Sequence, residues 1–392
     1  MGKRLKRSQA GFSLLELTVA TALGTLVVAA AVQLYSQGAS ATFTVSQRAE
    51  MQQDFRAASN LLTKDLSLAG AGLPLGVPVQ LPTSATIPVY GCASATGSPC
   101  YLGANNNLPA QYPQQGGTPF LYGLLTGYNG GPTLPQSTGP TDTITSVYTD
   151  ADFYLDCYSA SVTGQTSVTF TLTSSTGGQN CTAGTLPIQN VNDAGDGLIP
   201  GDLVLFGFST PIVAVVTGPV VAGTNGSGQP TYTVPFAASD ALKMNQASTV
   251  PYSLASQVGT SGYAQRLMVI TYYVDNTTTP ARLMRQVSGH TPMPVAEGLA
   301  YLKFTYDLYN SSTSTAGTQC QNPGATTDVC YSGSSSGDLP NMITMINVAH
   351  MAMSSTEKSA FPGAFKGYQS IDLQTSVSAR NLTYVNNFNI GP

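Results

Sequence analysis

From Phe12 to Leu34 the chain runs for 23 residues with Glu16 as its one charge, then turns polar at Ser36, Gln37 and Ser40. A stretch of that length and apolarity can span a bilayer as a helix. No proline occurs before Pro74, and past the apolar stretch Met51, Phe55, Ala58, Leu62, Leu66 and Ala69 follow at steps of 4, 3, 4, 4 and 3, which is the helical period. Gly70 and Gly72, with Pro74 just behind, supply a stop. The pattern predicts one helix over residues 12–69, roughly 85 Å long at about 1.5 Å per residue. Its first part, 12–36, is apolar all round. Its second part, 37–69, carries a single apolar stripe that needs a sheet or another helix to cover it.

Beyond Gly70 the period changes. Short alternating runs between Gly, Pro, Ser and Asn clusters predict strands at 141–149, 167–172, 202–208, 231–235, 266–274, 281–287, 300–308, 342–353 and 371–382. The sharpest hairpin joins 267–274 to 282–285 through the turn-rich 275–280. Long polar stretches at 91–140 and 311–340 read as surface loops. The expected fold is α+β: a long N-terminal helix followed by a large antiparallel β-rich head over residues 70–392, with no internal repeat.

Composition sharpens this picture in two ways. Charged residues make up 9% of the 392 and Gly and Pro number 40 and 25, a balance that suits a neutral, turn-rich β surface and not a disordered polyelectrolyte. The net charge is −4, and four of the fifteen basic residues (Lys3, Arg4, Lys6 and Arg7) lie in the first eleven positions, so the remainder carries 11 basic and 19 acidic groups. Between Ala69 and Gln265 the only basic residue is Lys243, which leaves no phosphate-binding surface there. Nucleic acid is excluded as the primary partner. The basic N-terminal flank also orients the apolar helix, since positive residues stay cytoplasmic and the C-terminal mass lies outside.

A secretory signal would need a small-residue cleavage site after the apolar stretch, which Ala29, Ala30 and Ala31 imitate loosely, but a carboxylate at Glu16 does not suit that reading. The run Lys6-Arg7-Ser8-Gln9-Ala10-Gly11-Phe12-Ser13-Leu14-Leu15-Glu16-Leu17 instead resembles the class III signal of type IV pilins and type II secretion pseudopilins. The resemblance implies that residues 1–11 are a leader, that prepilin peptidase cuts between Gly11 and Phe12 and methylates the new Phe12 amine, and that the helix stays in place. It also implies that Glu16 neutralises the amine of an adjoining subunit during assembly. Within the head, Leu61-Leu62-Thr63-Lys64-Asp65-Leu66-Ser67-Leu68-Ala69-Gly70, Gly201-Asp202-Leu203-Val204, Thr271-Tyr272-Tyr273-Val274, Leu283-Met284-Arg285, Val295-Ala296-Glu297-Gly298, Phe304-Thr305-Tyr306 and Ser378-Ala379-Arg380-Asn381 are similar to PilW-type minor pilins and pseudopilin J.

No catalytic constellation stands out beside this. His290 and His350 are the only histidines and lie sixty residues apart, so no metal-binding helix pair can be written; His350 is expected to be structural and His290 exposed. Gly333-Ser334-Ser335-Ser336-Gly337 formally fits a nucleophile elbow but lies in a Ser/Gly loop without the strand and helix that motif needs. Asp193, Asp196 and Asp202, near Asn192, offer oxygen ligands and are calcium candidates, although their spacing is not that of an EF-hand and Asx residues also suit turns. Asp150, Asp152 and Asp156 read as a solvated acidic loop. The six cysteines never form a C-x-x-C pair, which favours structural disulfides in an oxidising compartment over zinc. Fifteen pairings are possible; the local set Cys92–Cys100, Cys157–Cys181 and Cys320–Cys330 is expected, because 92–100 and 320–330 bracket short polar loops.

The expectation is a non-enzymatic, cofactor-free pilin subunit of the PilW-like minor class. It would sit in the inner membrane with its head in the periplasm and then enter a filament near its tip. Its partners would be other minor pilins, the major pilin, prepilin peptidase, the inner-membrane assembly platform and a tip adhesin. A pseudopilin J-like role in type II secretion and a pilin-anchored surface adhesin are the alternatives.

Overall fold

The computed structural model describes residues 11–74, 79–84, 88, 112–115, 117–135, 139–153, 155–173, 191–238, 240–310, 315–323, 340–358 and 368–382. Among them, helix α1 spans Leu14–Ser67. The strands are β1 (Val79–Gln80), β2 (Gln114–Gln115), β3 (Thr118–Leu121), β4 (Leu124–Gly127), β5 (Thr143–Thr149), β6 (Tyr158–Gly164), β7 (Ser167–Leu172), β8 (Leu203–Gly207) and β9 (Pro211–Val215). They continue as β10 (Val221–Thr224), β11 (Pro230–Pro235), β12 (Ser261–Asp275), β13 (Arg282–Val287), β14 (Met293–Glu297), β15 (Leu299–Asn310), β16 (Thr315–Cys320), β17 (Ile343–Lys358) and β18 (Tyr368–Ser378). The chain divides into two units, Met1–Gln52 with Ser355–Gln369 and Gln53–Ser354 with Ser370–Pro392.

The first unit holds most of α1. Among the described residues α1 is the one helix long and apolar enough to cross a membrane. Twelve large apolar residues between Phe12 and Tyr35 are exposed.

The second unit is built on antiparallel sheets. β12 organises the largest of them, pairing along its 15 residues with β6, β8, β5 and β13. From there the sheet runs outward through β7, β11 and β10 on one side and β14 on the other, with β4 added to β5 and β9 to β8. β8 and β9 are buried on both faces: Val204, Phe206, Ile212 and Ala214 enter one apolar core, while Leu203, Leu205, Val213 and Val215 enter a second. A strand covered on both sides can be apolar at every position, as these two are. A separate four-stranded sheet has the order β16-β15-β17-β18.

The helix-terminal part of this unit follows the predicted stripe, for Phe55, Ala58, Leu62, Leu66 and Ala69 are all buried. Gly70 and Gly72 end the helix with φ of 83° and 71°, values that favour glycine. A Cβ at Gly72 would collide with the Thr149 side chain, so glycine is required there by contact as well as by conformation. The exit is tied to β5 by Gly70 N–H to Val147 O and by Thr149 N–H to Ala71 O, both 2.8 Å.

Each of the nine predicted strands is present, with ends shifted by a few residues, and β12–β13 is the predicted hairpin. The loop expectations need correcting. The described part of 91–140 contains β2, β3 and β4 and buries Tyr112, Leu121, Tyr122, Leu124 and Leu125 in the core, and 311–340 contains β16. These strands are two to six residues long, too short to show alternation locally, and although β16 pairs with the neighbouring β15, β3 pairs with the distant β1.

Candidate functional site

At the start of α1 the backbone of residues 11–13 is extended coil, and Ser13 is the N-cap, its carbonyl accepting the first helical bond from Leu17 N at 3.2 Å. Ser13 Oγ accepts from Glu16 N at 3.2 Å, and Ser13 N donates to Glu16 Oε2 at 3.0 Å. This reciprocal pair is a capping box, in which serine and glutamate three residues apart satisfy two of the orphan amides of a helix start. The carboxylate also lies where the helix dipole is positive. Gly11 and Phe12 precede the cap as exposed chain, with the Phe12 side chain 85% exposed. An amine generated at Phe12 would lie one residue from the Ser13 amide that already holds the Glu16 carboxylate.

At the far end of the helix a second carboxylate is treated in the opposite way. Asp65 is 2% exposed, and its Oδ2 accepts from Tyr272 OH at 2.6 Å and from Arg285 Nε at 2.7 Å. Burial first, then the hydrogen bond and charge of Asp65, push the Tyr272 phenol far above its ordinary value. Burial alone would lower Arg285, but the hydrogen bond and charge of Asp65 reverse this and raise it. Tyr148, on β5, is pushed up to about 12 by burial and by the Asp65 carboxylate, against the opposing pull of Arg285. Helix, β5, β12 and β13 thus converge on one ionic node. Asp65, Tyr272 and Arg285 fall in three of the head segments that carry the pilin resemblance, but nothing in their spacing showed that they meet.

The calcium candidates do not converge. Asp193 Oδ1 accepts from Gly195 N (2.8 Å) and Asp196 N (3.1 Å), and these amides hold its carboxyl below the usual carboxylate range. Asp202 accepts from Ile199 N through Oδ2 and contacts His290 Nε2 through Oδ1 at 2.8 Å. The Asp196 carbonyl accepts from Arg266 Nη1 at 3.1 Å, and the same guanidinium binds Asp150 Oδ2 at 2.5 Å. Among the described residues no three His, Cys, Asp or Glu side chains form a metal-sized group. Asp150 is therefore one half of an ion pair and not a solvated loop acid, a correction that follows from β12 bringing Arg266 beside the end of β5.

The histidines exchange their expected roles: His290 is half-buried against Asp202, whereas His350 is exposed and pairs through Nδ1 with Asp372 Oδ2 at 3.0 Å. The tight approach of Gly201 to Gly289 draws the 290 turn inward, while the alternation of β17 turns His350 to the open face of its sheet. Cys157 and Cys320 are both disulfide-bonded. Cys92, Cys100, Cys181 and Cys330, the leader through Ala10 and the Gly333–Gly337 motif lie outside the described residues.

Residues 6–32 match the prokaryotic N-terminal methylation motif family. No curated protein and no solved structure matches the chain. The matched signal and the apolar helix that follows it are those of a type IV pilin-like or pseudopilin-like protein. A signal of this class and an apolar N-terminal helix fit a chain that is read by prepilin peptidase, is anchored in the inner membrane and enters a filament. The long N-terminal apolar helix and the large antiparallel β-rich region agree with a pilin-like α+β fold. The motif points to a structural role.

Proposed function

We propose that the protein is a PilW-like minor pilin that helps to start pilus assembly and is incorporated near the filament tip. The observation that carries this reading is the methylation motif at residues 6–32, set on a helix whose apolar residues between Phe12 and Tyr35 are left bare. Burying one leucine-sized side chain stabilises by about 1.5–3 kcal/mol, so twelve exposed ones demand lipid or neighbouring helices. Cleavage falls between Gly11 and Phe12, and residues 12–36 pass from the membrane into the filament core while residues 70–392 form the head. The head is held in the periplasm before assembly, and its surfaces select other minor pilins, the major pilin, the assembly platform and a tip adhesin. The PilW-type assignment is further supported by the meeting of Asp65, Tyr272 and Arg285, each from a separate segment that carries that resemblance.

Glu16 supplies the counter-charge. In the free subunit its carboxylate caps its own helix, and on assembly it neutralises the Phe12 amine of the adjoining subunit, since a buried unpaired charge is strongly destabilising. The local disulfides Cys92–Cys100, Cys157–Cys181 and Cys320–Cys330 staple loops of the head, and peptide mapping without reduction checks them.

Deleting the gene and shearing the cells tests the assignment. Loss of pili with secretion intact, together with recovery of the protein in sheared filaments of complemented cells, is expected. Loss of secretion with pili intact would make it a pseudopilin J-like component instead.

A further inference from the structure

One face of the four-stranded sheet β16-β15-β17-β18 is built unlike the rest of the head. Along β15, Leu302, Phe304, Tyr306 and Leu308 are buried, while Tyr301, Lys303, Thr305 and Asp307 alternate onto the opposite, open face. Two neighbouring hollows, of about 800 and about 460 Å³, lie on that face and share Thr305, Ala349 and His350 in their lining. The larger is floored by a cross-strand polar ladder. Asn347 Nδ2 donates to Asp307 Oδ1 at 3.2 Å, Gln319 N donates to the same oxygen at 2.9 Å, and Ser376 Oγ donates to Asn347 Oδ1 at 2.7 Å.

The smaller hollow has aromatic walls. Tyr128, 38% exposed, has Lys303 Nζ over its ring at 4.9 Å from the centre, and the Tyr301 and His350 rings pack edge to face with centres 6.0 Å apart. These walls are fixed from below. Asp142, 2% exposed, accepts from Lys303 Nζ (2.8 Å), Asn129 N (2.8 Å) and Phe304 N (3.0 Å), and Asn129 Oδ1 accepts from Lys303 Nζ at 2.6 Å. The turn that carries Tyr128 is thereby pinned to the sheet.

We propose that this groove binds a neutral oligosaccharide. A pyranose has a C–H-rich face that packs on an aromatic ring and a hydroxyl-dense edge that needs many donors and acceptors. Tyr128 and Tyr301 offer the first, and Thr305, Asn347, Gln374 and Ser376 the second. The charges argue for an uncharged ligand. Lys303 is neutralised by Asp142 and His350 is paired with Asp372, while Asp307 has neutral donors only and repels anions. A subunit interface would call for an apolar centre depleted of such groups, and Met345 is the one large apolar side chain exposed among the Thr, Asn, Gln and Ser residues that line the larger hollow.

The test uses the full chain in detergent micelles on a printed array of neutral hexose and N-acetylhexosamine oligosaccharides beside their sialylated and sulfated counterparts. Retention on a neutral class is expected. Tyr128→Ala, a substitution at an exposed ring, should weaken it by roughly tenfold, the loss of one aromatic contact face, with Asn347→Ala acting in the same direction. Tyr263→Ala, at an exposed tyrosine outside the groove, should leave it unchanged. Thermal melts of each variant separate loss of binding from loss of fold. No retention of any neutral oligosaccharide, retention of acidic ones alone, or unchanged retention by Tyr128→Ala would overturn the proposal. So would groove variants that keep glycan capture but drop out of sheared filaments, which would make the face a subunit contact.

Discussion

The two ends of helix α1 treat apolar and acidic residues in opposite ways. Near the start, Leu14 and Leu26 are 82% and 67% exposed, and the carboxylate of Glu16 is committed only to the backbone of its own first turn. Near the end, Leu62 and Leu66 are covered to within 1%, and Asp65 is sealed beneath β12 and β13 with a phenol and a guanidinium as partners. The difference teaches which part is finished on folding. The C-terminal segment has spent its interactions on the head, whereas the N-terminal segment retains a large apolar surface and a carboxylate that a new partner can take over at the cost of one exposed hydrogen bond.

The buried end should fail hardest. Asp65→Ala would strand Arg285 and Tyr272 and should lower the stability of the head by roughly 3–5 kcal/mol, the cost typical of breaking a buried ion pair from one side. A double-mutant cycle with Arg285→Ala in denaturant titrations should recover part of that loss, and strict additivity would show that the node does not act as a unit. Leu62→Ala should cost about 3 kcal/mol through the cavity left under the stripe, whereas Leu26→Ala should leave the melting of the solubilised protein unchanged. Equal effects at both positions would erase the contrast between the two halves.

Alkaline titration probes the same node. Tyr148 and Tyr158 are pushed from 10.0 up to about 12, by burial in both cases, with Asp65 adding to the first and Tyr232 to the second, and Tyr272 is raised further. A phenol whose folded value lies above its unfolded value contributes stability that is complete below about pH 10 and is lost as the pH rises to about 12. Tyrosinate absorbance should therefore develop in an early non-cooperative phase from exposed tyrosines and a late phase coincident with unfolding. A single smooth titration with the fold intact would contradict the burial assigned to these rings.

The smallest effects belong at the bare end, where cap and charge can be separated. Ser13→Ala removes the cap and should cost about 1 kcal/mol locally, read as faster amide exchange over residues 14–17 with no change in the head. Glu16→Gln keeps an acceptor for Ser13 N–H but no charge, so exchange should stay slow while incorporation into sheared filaments falls, as it should for Glu16→Ala. Normal incorporation of Glu16→Gln would mean that the side chain acts as a cap alone.

Periodicity carried most of the architecture into view. The helix, its buried stripe and its glycine stop were readable because one face repeats at the helical step from Met51 to Ala69, and the strands at 143–149, 261–275 and 299–310 because polar and apolar residues alternate or because long β-branched runs are bounded by turns. β9 escaped because Ile212, Val213, Ala214 and Val215 are all buried, which erases alternation. β6 and β16 escaped because Ser, Thr, Ala and Gly dominate them and leave little apolar alternation to read, although each pairs with the strand next to it in sequence. At the N-terminus the methylation motif was legible since the signal is contiguous in sequence. The Asp65 node and the groove at Lys303 were not, because each assembles residues more than 150 positions apart, and only the sheet register brings them together.

Where the mature chain begins decides whether the apolar helix stays on the head, and the intact mass of the protein purified from its own cells measures that directly. The predicted result is a chain starting at Phe12 with one methyl group on its amine. A chain starting near Ala31, which would release a soluble head without its apolar helix, or one retaining Lys3 to Arg7, would contradict it.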